Sequence, residues 1–195
     1  MKKLMIVIMF LSSIVLQGQT AKENLRNTFD TYINLTMAQE FDKSFDYIIQ
    51  DLFEIIPRAQ MVALMKQIYN NPKMKIHLEN PKILSLGAIE KLKGKWYAIL
   101  TYSNIMRIKV NPEDTDESAE DKAVRMGLLK VSFNKKFGTK NVKYNEETGF
   151  FEINVVKSVC CASEDGKSDW KFLTLDKAQQ KLTKSFLPAE IFEKL

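Results

Sequence analysis

The sequence predicts an α+β fold: N-terminal helices packed on a curved antiparallel sheet, with one inserted helix and a short C-terminal helix. Three observations carry this reading. Apolar residues recur at steps of three and four through residues 22–69, the spacing of an amphipathic helix. The period falls to two between residues 73 and 110, the spacing of a strand. Strand-like runs then follow one another across short turns, which favours antiparallel pairing with the helices grouped beside the sheet.

The elements follow in chain order. Lys2 and Lys3 precede an apolar run from Leu4 to Leu16, and polar residues resume at Gln17. This is the layout of a secretory signal, and the run is short for a membrane span. Cleavage is expected near Gly18 or Gln19, giving a signal peptide at 1–19 and a single domain at 20–195. No cysteine follows the run, so a lipoprotein anchor is not expected, and the predicted location is periplasmic or secreted. About 175 residues remain after cleavage, enough for one domain with its own core.

Leu25, Phe29, Tyr32, Ile33, Met37 and Phe41 form one stripe, predicting a helix over 22–42. The run FDYIIQDLFEII predicts a second, through Phe45, Ile48, Ile49, Leu52 and Phe53. Pro57 suits the first turn of a third helix, whose buried face is read as Met61, Leu64, Met65, Ile68 and Tyr69. Met74, Ile76 and Leu78 alternate with Lys75, His77 and Glu79 in a strand, and Pro81 is expected to separate it from a second strand, ILSLGAIEKL. After the turn at Lys93-Gly94, residues 95–110 read as one long strand, apolar on both faces in its middle. A helix is expected over Ala119–Phe137, with Val124, Leu128 and Val131 on one side and Gly138 at its end. Strands are expected at NVKY, FFEINVVKSVCCAS and DWKFLTLD, and a closing helix after Pro188.

With three helices centred on DYIIQDLFEIIPRAQM, a meander containing GKWYAILTYS, and the ending DWKFLTLD…LPAEIFEKL, the chain resembles the NTF2-like superfamily, the cystatin-like α+β cone. It is similar in particular to small uncharacterised secreted proteins of Bacteroidetes-type bacteria. The resemblance spans most of residues 22–195 and lies in element order rather than in a catalytic signature. It implies a sheet wrapped around a pocket. Superfamily members include isomerases, dehydratases, epoxide hydrolases and non-catalytic binding modules, so the fold alone selects no activity. The helix at 119–137 is longer than a minimal member would carry.

The chemistry that the residues offer is sparse. The chain has 29 Lys and Arg, 24 Asp and Glu, and a formal net charge of +5. Its lysines are scattered among acids without a basic, aromatic-interleaved stripe, so nucleic acid is not an expected partner. The two cysteines, Cys160 and Cys161, are neighbours in a predicted strand and should point to opposite faces. A disulfide between them would distort the intervening peptide. With one histidine, zinc lacks its usual three or four ligands, and no cofactor or metal is expected. Cys161 reads as a core residue and Cys160 as lying on a more polar face, where an exposed thiol could cross-link two chains into a homodimer. The acidic loop after Asn111 fails the EF-hand pattern: counted from Asp114, the sixth residue is Ala119 and the twelfth Arg125.

Candidate ligand-binding residues are the polar-tipped side chains that a pocket could use: Asp46, Tyr47, His77, Tyr97 and Tyr102. No catalytic residue is assigned. His77 could carry a proton near neutral pH if its strand face lined a cavity, with Glu79 to orient it. The leading expectation is a non-catalytic module binding a small apolar ligand or a protein partner. One alternative is an isomerase- or dehydratase-like enzyme using a cavity carboxylate or histidine. Another is an assembly subunit of the cell envelope.

Overall fold

The computed structural model describes residues 2–112, 116–176 and 180–193, and among residues 2–18 the backbone alone. The chain is α+β, and six strands among the described residues form one antiparallel sheet that is not closed. Helix α1 spans Lys2–Met37, and the short α2 (Phe41–Ser44), α3 (Asp51–Ile55) and longer α4 (Arg58–Tyr69) follow. Strands β1 (Met74–Leu86), β2 (Glu90–Leu92) and β3 (Lys95–Val110) precede helix α5 (Ala119–Phe137). Then come β4 (Val142–Asn145), β5 (Phe150–Ser163), β6 (Lys171–Leu175), α6 (Gln180–Thr183) and α7 (Ala189–Phe192). No helix among the described residues is long and apolar enough to cross a membrane.

β3 and β5 form the spine, paired from Trp96↔Ser163 to Ile108↔Phe151. The outer edge of β3 carries β1 and, beyond a break, β2; the outer edge of β5 carries β4 at one end and β6 at the other. The two-residue turn at Lys93 and Gly94, both with positive φ (49° and 95°), closes the β2–β3 hairpin as the sequence suggests.

Strand alternation assigns the core. On one face, Ala98, Leu100 and Tyr102 of β3 join Val159 and Cys161 of β5 beneath Leu25, Phe29 and Ile33 of α1. At the other end of that face, Ile108, Phe151, Ile153 and Val155 meet Met126, Leu129, Phe133 and Phe137 of α5. On the opposite face, Tyr97, Cys160, Ala162 and Leu173 lie under Ile49, Leu52, Leu187 and Ile191. Phe172 sits at the centre: its ring meets Phe29 edge-on at 5.4 Å and stacks on Tyr32 at 5.4 Å.

Four expectations need correction. The first helix ends at Met37, because Gln39 turns with φ 60° and Phe41 opens α2. FDYIIQDLFEII is not one helix: Ile48 is extended and bridges Phe172, and the Ile49 N–H donates to the Phe172 carbonyl at 3.2 Å. The edge of β6 competes for those backbone groups and wins. On α4, Val62 is buried while Leu64 is exposed. Pro81 does not divide two strands. It sits within β1, beside Asn80 (φ 52°) and a register shift between Glu79 and Lys82; on an edge strand, at a bulge, its missing N–H costs no ladder bond. Val124, Leu128 and Val131 share one side of α5 as expected, and that side faces outward.

The loop between β5 and β6 is tied by Asp165, whose carboxylate accepts hydrogen bonds from Lys167 N (2.7 Å), Ser168 N (2.8 Å) and Ser168 Oγ (2.7 Å). Those donors, foremost the Ser168 backbone, hold the carboxyl far below its ordinary range. The same loop presses Gly166 (φ 70°) on the Trp96 ring, where an added Cβ would lie 2.6 Å from ring carbons.

Two outcomes are expected. Phe172→Ala lowers unfolding free energy by about 3–5 kcal/mol in denaturant titrations. For Asp165 the folded-state pKa lies below the unfolded one, so its contribution is complete above the unfolded pKa and fades as pH falls through the folded value. The stability gap between wild type and Asp165→Asn should therefore be constant above about pH 4 and narrow in stronger acid.

Candidate functional site

β3 is followed on its outer edge by β1 only as far as Leu86. There the Gly87 N–H gives a last bond to the Ile99 carbonyl at 2.9 Å, and the chain leaves the edge until β2 begins at Glu90. The departure opens a hollow of about 310 Å³ beside β3. Tyr97, Ile99 and Thr101, alternate residues of one strand face, line it, together with Ser85 of β1, Leu92 of β2 and Ile191 of α7. The volume lies at the lower end of the range for small-molecule sites, and the mix of apolar walls with a few hydroxyls suits ligand orientation. Tyr97 is buried, and that burial raises its phenol pKa, so the group stays a neutral donor.

The five expected site residues do not converge. Tyr97 alone lines the hollow. Asp46 is exposed and pairs with Arg58 Nη2 at 2.7 Å, while its backbone carbonyl accepts from Lys171 Nζ at 2.9 Å. Tyr47 is adjacent, with the Lys171 ammonium 5.8 Å from its ring centroid. His77 lies exposed on β1, opposite Arg107 in register and 5.7 Å from the Phe150 ring. Glu79 does not orient it; Glu79 instead meets Arg107 Nη1 at 3.2 Å. Tyr102 is inside the α1 core, its ring 5.1 Å from Phe29, and burial pushes its phenol pKa up. Thr101, Ser85 and Ile191 were not among the expected residues. Thr101 was within reach, because it shares the odd-numbered face of β3 with Tyr97.

Both thiols are free and fully buried. This corrects the polar-face reading of Cys160: the face it occupies is covered by α3 and the C-terminal segment, so no exposed thiol is there to cross-link two chains. Burial pushes the Cys160 thiol up to about 12 and Cys161 well above its ordinary value. Such thiols do not ionise near neutrality and are poor nucleophiles. Among the described residues no cluster of three or more His, Cys, Asp and Glu could hold a metal ion. Asp114, where the calcium-loop count begins, lies outside the described residues.

A second cleft, of about 640 Å³, follows the edge of β5. β4 pairs with Phe150–Ile153 and β6 with Ser158–Ala162, so no described strand pairs with residues 154–157 on that edge. Val156 is 63% exposed there.

Comparison with known proteins gives no relative: no family model matches the chain, and no curated protein or solved structure does.

From the burial, neither Cys160 nor Cys161 should react with a thiol-specific disulfide reagent at pH 8 in the native chain. Both should react once the chain is unfolded in denaturant, and absorbance of the released thiolate counts them.

Proposed function

We propose that the chain is a secreted or periplasmic, non-catalytic module of NTF2-like descent, and that it binds a small apolar or amphipathic ligand in the hollow over Tyr97. The observation that carries this is the chemistry of the hollow. Its walls are Ile99, Leu92 and Ile191, and the hydroxyl-bearing Tyr97, Thr101 and Ser85 and the acidic Glu90 border them. These groups orient a ligand through hydrogen bonds while apolar area supplies affinity. His77 and Asp46, two side chains that an isomerase- or dehydratase-like reading would use, lie away from it on the surface, and the carboxylate that does border it, Glu90, has no histidine beside it in the lining. Secretion is supported by the basic start at Lys2 and Lys3 and the apolar run Leu4–Leu16 that follows it.

A second reading, an envelope assembly subunit, is favoured by the cleft along β5. The span 154–157 between β4 and β6 could accept an extended segment of another protein by strand addition, with Val156 contributing apolar contact.

Native mass spectrometry of the chain purified from its own source separates these. The ligand reading expects a retained small molecule in wild type that is missing from Thr101→Trp, whose side chain fills the hollow without altering the strand face. Retention in both proteins, or an empty wild type that gains no thermal stability from apolar probe molecules, overturns it.

A further inference from the structure

Helix α5 carries two apolar stripes. Met126, Leu129, Phe133 and Phe137 face the sheet. Val124, Leu128 and Val131 face away, exposed at 60%, 68% and 67%. At 100° per residue, these three fall with Glu120, Gly127 and Lys135 within about 100° of arc, directly opposite the sheet-facing set. All six residues are exposed. Nothing lies within 4 Å of where a Gly127 Cβ would stand, so the glycine leaves a notch in the outer stripe.

The order of residues along this stripe is self-complementary. About the midpoint between Gly127 and Leu128, equidistant positions are Gly127 with Leu128, Val124 with Val131, and Glu120 with Lys135. Two copies crossing antiparallel on a two-fold axis would thus bring the two Leu128 side chains together on one side of the seam and the two Gly127 together on the other, where the missing side chains let the helices approach closely. The valines would pack on one another, and each Glu120 would lie opposite a Lys135. A parallel crossing would instead set Glu120 on Glu120 and Lys135 on Lys135. A membrane surface fits less well, because attraction to anionic lipid draws on Lys and Arg, whereas Glu120 stands within this exposed stripe.

We propose that the outer face of α5 is a homodimer interface, in which a second copy of this chain packs its own α5 antiparallel through Val124, Gly127, Leu128 and Val131, with Glu120 and Lys135 setting the direction. The contact is isologous, as a two-fold dimer requires. It spans about 22 Å of helix from Glu120 to Lys135. One helix pair buries less than a standard interface of about 1,600 Å², so the dimer is weak and concentration-dependent. It is independent of the hollow over Tyr97.

Sedimentation equilibrium of the full chain over a wide concentration range tests this. Wild type is expected to show a monomer–dimer equilibrium. Leu128→Glu, exposed and therefore neutral for folding by circular dichroism, should weaken it at least tenfold; because the N-terminal apolar run is unchanged in that variant, the difference reports on α5. Glu120→Lys and Lys135→Glu alone should each weaken the dimer, and the double variant Glu120→Lys/Lys135→Glu should recover most of the loss. Three results would overturn the proposal: a wild type that stays monomeric, a Leu128→Glu protein that associates as wild type does, or charge reversals that simply add. A monomeric wild type that instead floats with anionic vesicles, and loses this with Leu128→Glu, would assign the stripe to a membrane surface.

Discussion

The long antiparallel pairing of β3 with β5 is the constraint on which the rest of the structure depends. It runs from Trp96↔Ser163 to Ile108↔Phe151 without a break in register. Alternation leaves no freedom in which side chain faces which way. At the end where helices cover both faces, every residue of the pair must be apolar or small. That is why Cys160 and Cys161 stand back to back: one fills space against α1, the other against the C-terminal segment. At the opposite end only one face is covered, by α5, and the other carries Arg107 with Glu79 and Glu152 at 3.2 and 3.9 Å. The composition of β5 records this change, with Glu152 and Asn154 giving way to Cys160 and Ala162.

The edges of this pair decide where function can sit. A fully paired sheet covered on both faces offers no opening. Here the outer edge of β3 is interrupted between Leu86 and Glu90, and the outer edge of β5 between β4 and β6. Each interruption coincides with a cleft. The bulged course of β1 and the brevity of β2, β4 and β6 also blunt the edges against uncontrolled pairing.

Periodicity carried the strands and long helices well, because burial on one side imposes a regular period. β3, β5, β6, α5 and the Lys93-Gly94 hairpin were legible for that reason. The failures have a common physical origin. Ile48 and Ile49 have helical spacing but lie beside β6, and a backbone bond to Phe172 outweighs local helix preference. Pro81 reads as a terminator, yet an edge strand tolerates it. The hollow was only partly legible. Tyr97 and Thr101 share a face by alternation, but Ile191 arrives from nearly a hundred residues away. No local pattern announces a meeting set by tertiary packing. Cys160 was misjudged because its neighbours Ser158 and Glu152 are polar, whereas cover comes from α3 and the C-terminal segment.

α5 shows how a helix can be anchored without being buried. None of its residues is buried, although packing of an amphipathic face supplies most of a helix's stability in proteins. Its N-terminus is fixed instead. The Ser118 hydroxyl accepts from Asp121 N at 3.1 Å, and acidic residues fill the first turn, both favourable at the positive end of the helix dipole. Arg125 then clamps the helix to the preceding strand. It donates to both oxygens of Glu117 at 2.6 and 2.8 Å, and to the Val110 carbonyl at 2.9 Å. Met126, Leu129, Phe133 and Phe137 supply the remaining contact with the sheet. These interactions account for the helix's position and use only its inner side. Lysine or glutamate at 124, 128 and 131 would serve an isolated domain equally well and keep more apolar surface out of water. The outer valines and leucine are therefore not explained by folding of the single chain, and their fit to a second copy is a physical reason for them to be there.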